Sequence, residues 1–168
     1  MTTYKRLCLL AIIALAAAGC GGSSAKGSVK LPAKGCGLLS DDVVTALLGG
    51  PPTSTSELRP PGVTPPGSVV GCVWTRAGGH QAGITLHQGP GAASDFADNT
   101  SGPSSQPVPG LGDKAMIQVV AGQEEGSISV LKGDVEILVF GTLSGSADGY
   151  ADTLKQAAAA ILTHLDPG

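Results

Sequence analysis

Cysteine stands at four positions in this chain of 168 residues, 8, 20, 36 and 72, and how they divide constrains the fold most. Cys8 lies in an uncharged apolar run, Leu7 to Ala18, that follows Lys5 and Arg6 and closes on Gly19 and Cys20. A short positive stretch, an apolar run of this length and small residues at its end make a signal peptide. The run is too short and too weakly flanked for a mature transmembrane helix. Cys8 is therefore discarded with residues 1–19. The ending Ala17-Ala18-Gly19-Cys20 looks like a bacterial lipobox, with Ala17 where Leu is commoner. Cleavage before Cys20 makes it the first mature residue, and its thiol takes a diacylglyceryl group with acyl chains such as palmitate. The other reading is an ordinary secretory signal with Cys20 there by chance. Gly21-Gly22-Ser23-Ser24, a tether composition, favours lipidation. Cys36 and Cys72 remain, in an exported compartment that permits disulfides. An even pair without a competitor has one intramolecular bridge open to it. Closing a loop of this length stabilises by about 4 kcal/mol on chain-entropy grounds.

Residues 20–34 read as a flexible tether from lipidated Cys20. They hold Gly, Ser, Ala and the lysines 26, 30 and 34, with no periodicity. Residues 35–168 read as a single domain, long enough to bury a core. With 1 Trp, 2 Tyr and 2 Phe, that core must be Val, Ile, Leu and Ala. Lys and Arg number 10 against 13 Asp and Glu, and Lys5 and Arg6 leave with the leader. No basic stripe appears, which argues against a nucleic-acid partner and against adsorption to anionic lipid by charge. Membrane attachment then rests on the diacylglyceryl anchor, with two or more chains needed to hold.

The chain in order gives helix, two strands, a weak helix, three strands and a long helix. Ser40 is an N-cap, Asp41 and Asp42 suit a first turn, and Leu39 can staple on Val44. Val43, Val44, Leu47 and Leu48 form the stripe, and Gly49-Gly50-Pro51-Pro52 stops it. Residues 53–68, with Pro60-Pro61 and Pro65-Pro66, read as a long surface loop. Val69 to Trp74 and Ala82 to His87 alternate as strands across a Gly78-Gly79 turn. Cys72 and Trp74 share a face, so Trp74 is expected over the disulfide. Gly91 to Asp98 is a weak helix. Ala115 to Val120, Ser127 to Leu131 and Val135 to Phe140 are strands, the last two joined at Lys132-Gly133-Asp134. Val135 to Phe140 is apolar on both sides and belongs in the middle of a sheet. From Ala147 or Asp148 to Leu165, Tyr150, Leu154, Ala157, Ala158, Ile161 and Leu165 recur at helical steps. The expected fold is α+β, a mostly antiparallel sheet of about five strands with the helices on one side.

Three pieces resemble an actinobacterial, mycobacterial-type lipoprotein family of unknown function. They are Cys36-Gly37-Leu38-Leu39-Ser40-Asp41-Asp42-Val43 with Leu47-Leu48-Gly49, then Gly71-Cys72-Val73-Trp74, then Gly110-Leu111-Gly112-Asp113-Lys114-Ala115 with the strand pair from Val130 to Val139. The resemblance implies an envelope lipoprotein with a Cys36–Cys72 bridge and brings no catalytic residues. The Gly/Pro-rich stretch between Pro51 and Ser68 departs from it.

An enzyme needs a nucleophile and base, or paired acids, in a cleft. The serines stand in loops without Gly-x-Ser-x-Gly, and Cys36 and Cys72 do not make a Cys-x-x-Cys pair. His80, His87 and His164 are dispersed without ligand spacing, and Gly110-Leu111-Gly112 lacks the phosphate-loop context, so no metal or cofactor is expected. The sequence points to a non-catalytic binding or accessory module at the outer face of the cell membrane. Its partner is a small apolar ligand, a lipid or an envelope protein; a structural lipoprotein without a ligand is the rival. The site is expected between the last helix and the sheet, among Leu138, Phe140, Tyr150, Leu154 and Ala158. Small residues at 157–160 let that helix either close tightly or leave an apolar gap.

Overall fold

The computed structural model describes residues 29–58, 68–120, 125–142 and 146–165. The leader, Cys20, Pro60-Pro61, Pro65-Pro66 and Pro167-Gly168 lie outside the described residues. Ten elements follow in order: α1 (Asp41–Leu48), β1 (Ser54–Leu58), β2 (Val69–Thr75), β3 (Gln81–Gln88), α2 (Ala92–Asn99), β4 (Gln106–Pro107), β5 (Lys114–Val119), β6 (Glu125–Lys132), β7 (Val135–Thr142) and α3 (Ala147–Leu162). The strands form one antiparallel sheet of seven in the order β1-β2-β3-β7-β6-β5-β4. The fold is thus α+β, with short, weak and long helices in the expected order. β7 takes the central place that its two-sided apolar pattern demands.

Strand alternation sends Cys72, Trp74, Ala82, Ile84, Leu86, Ile117, Ile128, Val130, Ile137 and Val139 to one face, all within one buried core. α1 and α3 cover that face and pack on each other. α1 contributes Val44, Leu47 and Leu48. It ends in a Schellman motif: Gly49 has φ 66°, Gly49 N–H donates to the Ala46 carbonyl, and Gly50 N–H donates to that of Thr45. The Arg76 guanidinium donates to the Gly49 carbonyl, a cation at the negative helix end. Ser40 occupies the N-cap position, but its side chain makes no capping hydrogen bond. In α3, Ser146 Oγ does accept from Gly149 N–H at 3.3 Å. Tyr150, Leu154, Ala157, Ala158 and Ile161 are buried along α3.

Cys36 and Cys72 are bonded, with Cα atoms 5.0 Å apart. The disulfide ties the segment before α1 to β2. Glu57 of β1 completes the clamp: its carboxylate accepts the N–H groups of Gly35 and Cys36, each at 3.0 Å. Here the backbones pass so close that a Cβ on Gly35 would stand 2.4 Å from the Gly71 carbonyl carbon. Only glycine fits.

Three expectations need correction. Residues 54–58 are a strand, not loop; β1 pairs with β2 through its backbone while Ser54 to Glu57 stay exposed. The helices do not share one side. α2 packs on β6 and β7, and Asn99 at its end donates to Glu136, whose strand neighbours Ile137 and Val135 bracket it from the opposite, α3-covered face. The folded part also begins before residue 35. Val29 is 5% exposed, Leu31 packs against the core, and Gln88 Nε2 donates to the Val29 carbonyl. Val29 and Leu31 are the two branched apolar residues in a stretch otherwise of tether composition, and burial selects them.

Candidate functional site

The five residues expected to surround one apolar gap are divided between the two faces. Tyr150, Leu154 and Ala158 lie under α3 with at most 1% exposure. Leu138 and Phe140 alternate with Ile137 and Val139, so they point to the other side of the sheet, where both are partly exposed. Period-two alternation in β7 forces this separation. Of the two outcomes the small residues allowed, Ala157 and Ala158 at 0% exposure correspond to close approach of α3 to the sheet.

The second face carries a groove of about 380 Å³ at the end of the sheet where β3 starts and β7 ends. Phe140 lies in it. Its ring reaches over β3, because Gly83, its direct partner, has no side chain there: a Cβ would stand 2.5 Å from Phe140 Cζ. Glu125 and Ser127 come from β6, Gln118 from β5, Gln81 and Thr142 from the facing strand ends, and Ser104 from the segment after α2. Thr142 Oγ1 is fixed by Gln81, accepting from its N–H at 3.2 Å and donating to its carbonyl at 3.1 Å. Gln118 Nε2 donates to Ser105 Oγ, which holds the 100–105 segment as a wall, and among the described residues no donor reaches the Gln118 carbonyl oxygen.

On the same face, toward the other end of the sheet and under α2, lies a polar cluster. His87 and Glu136 are directly paired across β3 and β7. His87 Nδ1 contacts Asp95 Oδ2 of α2, and Asn99 Nδ2 donates to Glu136 Oε1 at 2.8 Å. Glu136 is 4% exposed, and burial pushes its carboxyl above the usual value. The Asn99 hydrogen bond opposes this, Asp95 adds to it, and Ser129 and His87 pull weakly down. Ser129 Oγ, buried close by, makes no well-formed hydrogen bond, so desolvation dominates. Among the described residues, no group of three or more His, Cys, Asp or Glu could hold a metal ion.

Sequence reading missed the groove because five separate stretches of chain line it. The one local signal was Phe140, an aromatic on the side of β7 that the long helix does not cover. Compared with known protein families and with curated proteins, the chain matches no family model and no curated relative.

Proposed function

We propose that the chain is a lipid-anchored envelope lipoprotein, held at the outer face of the cell membrane by a diacylglyceryl group on Cys20, whose folded part is a non-catalytic binding module. The signal-peptide pattern and the Ala-Ala-Gly-Cys ending support the anchor. The groove beside Phe140 carries the binding reading: its volume of about 380 Å³ falls within the range of small-molecule sites. General acid–base chemistry needs at least one well-placed ionisable group and usually a second. Among the described lining residues only Glu125 ionises, and the Glu136–His87–Asp95 cluster is engaged in holding α2. A small polar ligand suits this lining better than a lipid, since Phe140 is its one large apolar side chain.

The test is a fragment screen by NMR on the full chain, paired with Ser127→Trp, which fills the groove from β6. Binding fragments are expected to move the signals of Ser127, Phe140 and Thr142 and to lose their effect in the variant. Fragments that cluster on other surfaces, or none that bind, overturn the reading.

A further inference from the structure

Resting on that reading, we infer that the groove takes an uncharged polyhydroxy ligand of the size of a short saccharide. The argument begins with what the lining offers. Ser104 Oγ, Ser127 Oγ, the Gln81 carboxamide and the Gln118 carbonyl oxygen make no side-chain hydrogen bond among the described residues. These are neutral donors and acceptors distributed around one aromatic ring. A polyol presents hydroxyls that both donate and accept, together with C–H faces that lie on an aromatic surface.

Charge removes the main competitors. The described lining holds no Lys, Arg or His, and Glu125 adds a negative charge. A phosphate or carboxylate ligand meets repulsion there and no cation to pair with. A long acyl chain needs apolar walls, and apart from Phe140 the lining is polar side chain or glycine. Burying those hydroxyls and amides against hydrocarbon leaves them without partners, at a cost larger than one ring contact returns.

The experiment uses the full-length chain in phospholipid nanodiscs and four probes: neutral disaccharides of gluco, galacto, manno and N-acetylated configuration; inorganic phosphate; choline; and hexanoate. The expected result is saturable shifts of the Phe140 ring and the Gln118 carboxamide with at least one disaccharide, with Kd on the order of 1 mM. Phe140→Leu should weaken that binding by about tenfold, the usual scale for losing an aromatic platform. Ser127→Trp should abolish it while strand chemical shifts and the disulfide persist, which keeps the test valid if Phe140→Leu does not fold. Binding of choline, phosphate or hexanoate in the groove without any disaccharide overturns the ligand class and leaves the binding module standing. Disaccharide binding that Ser127→Trp does not affect overturns the location. No probe binding in the groove, together with a blank fragment screen, removes both.

Discussion

Tyr150 occupies space that two glycines provide. Gly126 and Gly141 are directly paired across β6 and β7, and a Cβ on Gly141 would stand 2.5 Å from the Tyr150 hydroxyl oxygen. That hydroxyl is buried with no hydrogen-bond partner, and burial with the nearby Glu125 charge makes it harder to ionise. Tyr150→Phe should therefore stabilise the protein by about 1 kcal/mol, the desolvation cost of an unpaired group. Gly141→Ala should cost about 2 kcal/mol by overpacking. Combined, the two should cost less than the sum of their separate effects, because the clashing atom is gone; urea unfolding of all three variants checks the coupling. Glu136 offers a titration test. Its folded pKa is raised by burial, so the stability that it contributes is full below about pH 4.5 and is lost as pH rises through the folded value. Glu136→Gln keeps an acceptor for Asn99 and carries no charge. It should be more stable than the parent at pH 7 and nearly equal at pH 4, by chemical denaturation at both. An equal difference at the two pH values would show that the buried charge is not what costs.

At the scale of elements, the legible ones were those with a strong period. β7, β6, β3 and α3 bury side chains at steps of two or of three and four, and hydrophobicity marks both patterns. β1 was not legible because Ser54-Thr55-Ser56-Glu57-Leu58 buries almost nothing; its order comes from backbone pairing with β2 and from the Glu57 clamp. α2 was legible as a helix and not as to face, since Ala92 and Phe96 announce an apolar side without saying which side of the sheet will receive it. Phe96 is 9% exposed and lies outside the main core cluster. α2 should accordingly open as a local unit. Phe96→Ala is expected to speed amide exchange across residues 92–99 and to loosen the Ser105–Gln118 wall. α1 and α3 should stay protected. Leu154→Ala, a truncation at a residue with 0% exposure, should instead lower global stability by about 3 kcal/mol. Equal loss of protection in all three helices after Phe96→Ala would make α2 part of one cooperative unit with the core.

At the scale of the molecule, the two ends of the sheet are built differently. Val29 meets the end where β3 finishes and β7 begins: Gln88 donates to its carbonyl, and its side chain lies beside Gly133 in the β6–β7 turn. The groove lies at the other end, with Gln81 and Thr142. Eight residues of β3 separate the two ends, about 24 Å of strand. Nine residues link Cys20 to Val29, and a Gly/Ser-rich chain of that length has a mean span of about 17 Å, shorter than the strand. With Cys20 acylated as proposed, the β6–β7 turn is the end kept nearer the bilayer and the groove the end held outward, where a soluble ligand can enter. Two exposed positions report on this. Lys132 stands beside the β6–β7 turn and Ala77 in the β2–β3 turn near the groove. With Cys36 and Cys72 bonded, Lys132→Cys and Ala77→Cys can each be labelled with a fluorophore in the lipidated chain on vesicles containing nitroxide lipid. Quenching should be clearly stronger at position 132 than at position 77. Equal quenching, or stronger quenching at 77, would mean that the domain does not stand on its Val29 end, and the outward groove would have to be abandoned even if Cys20 is acylated.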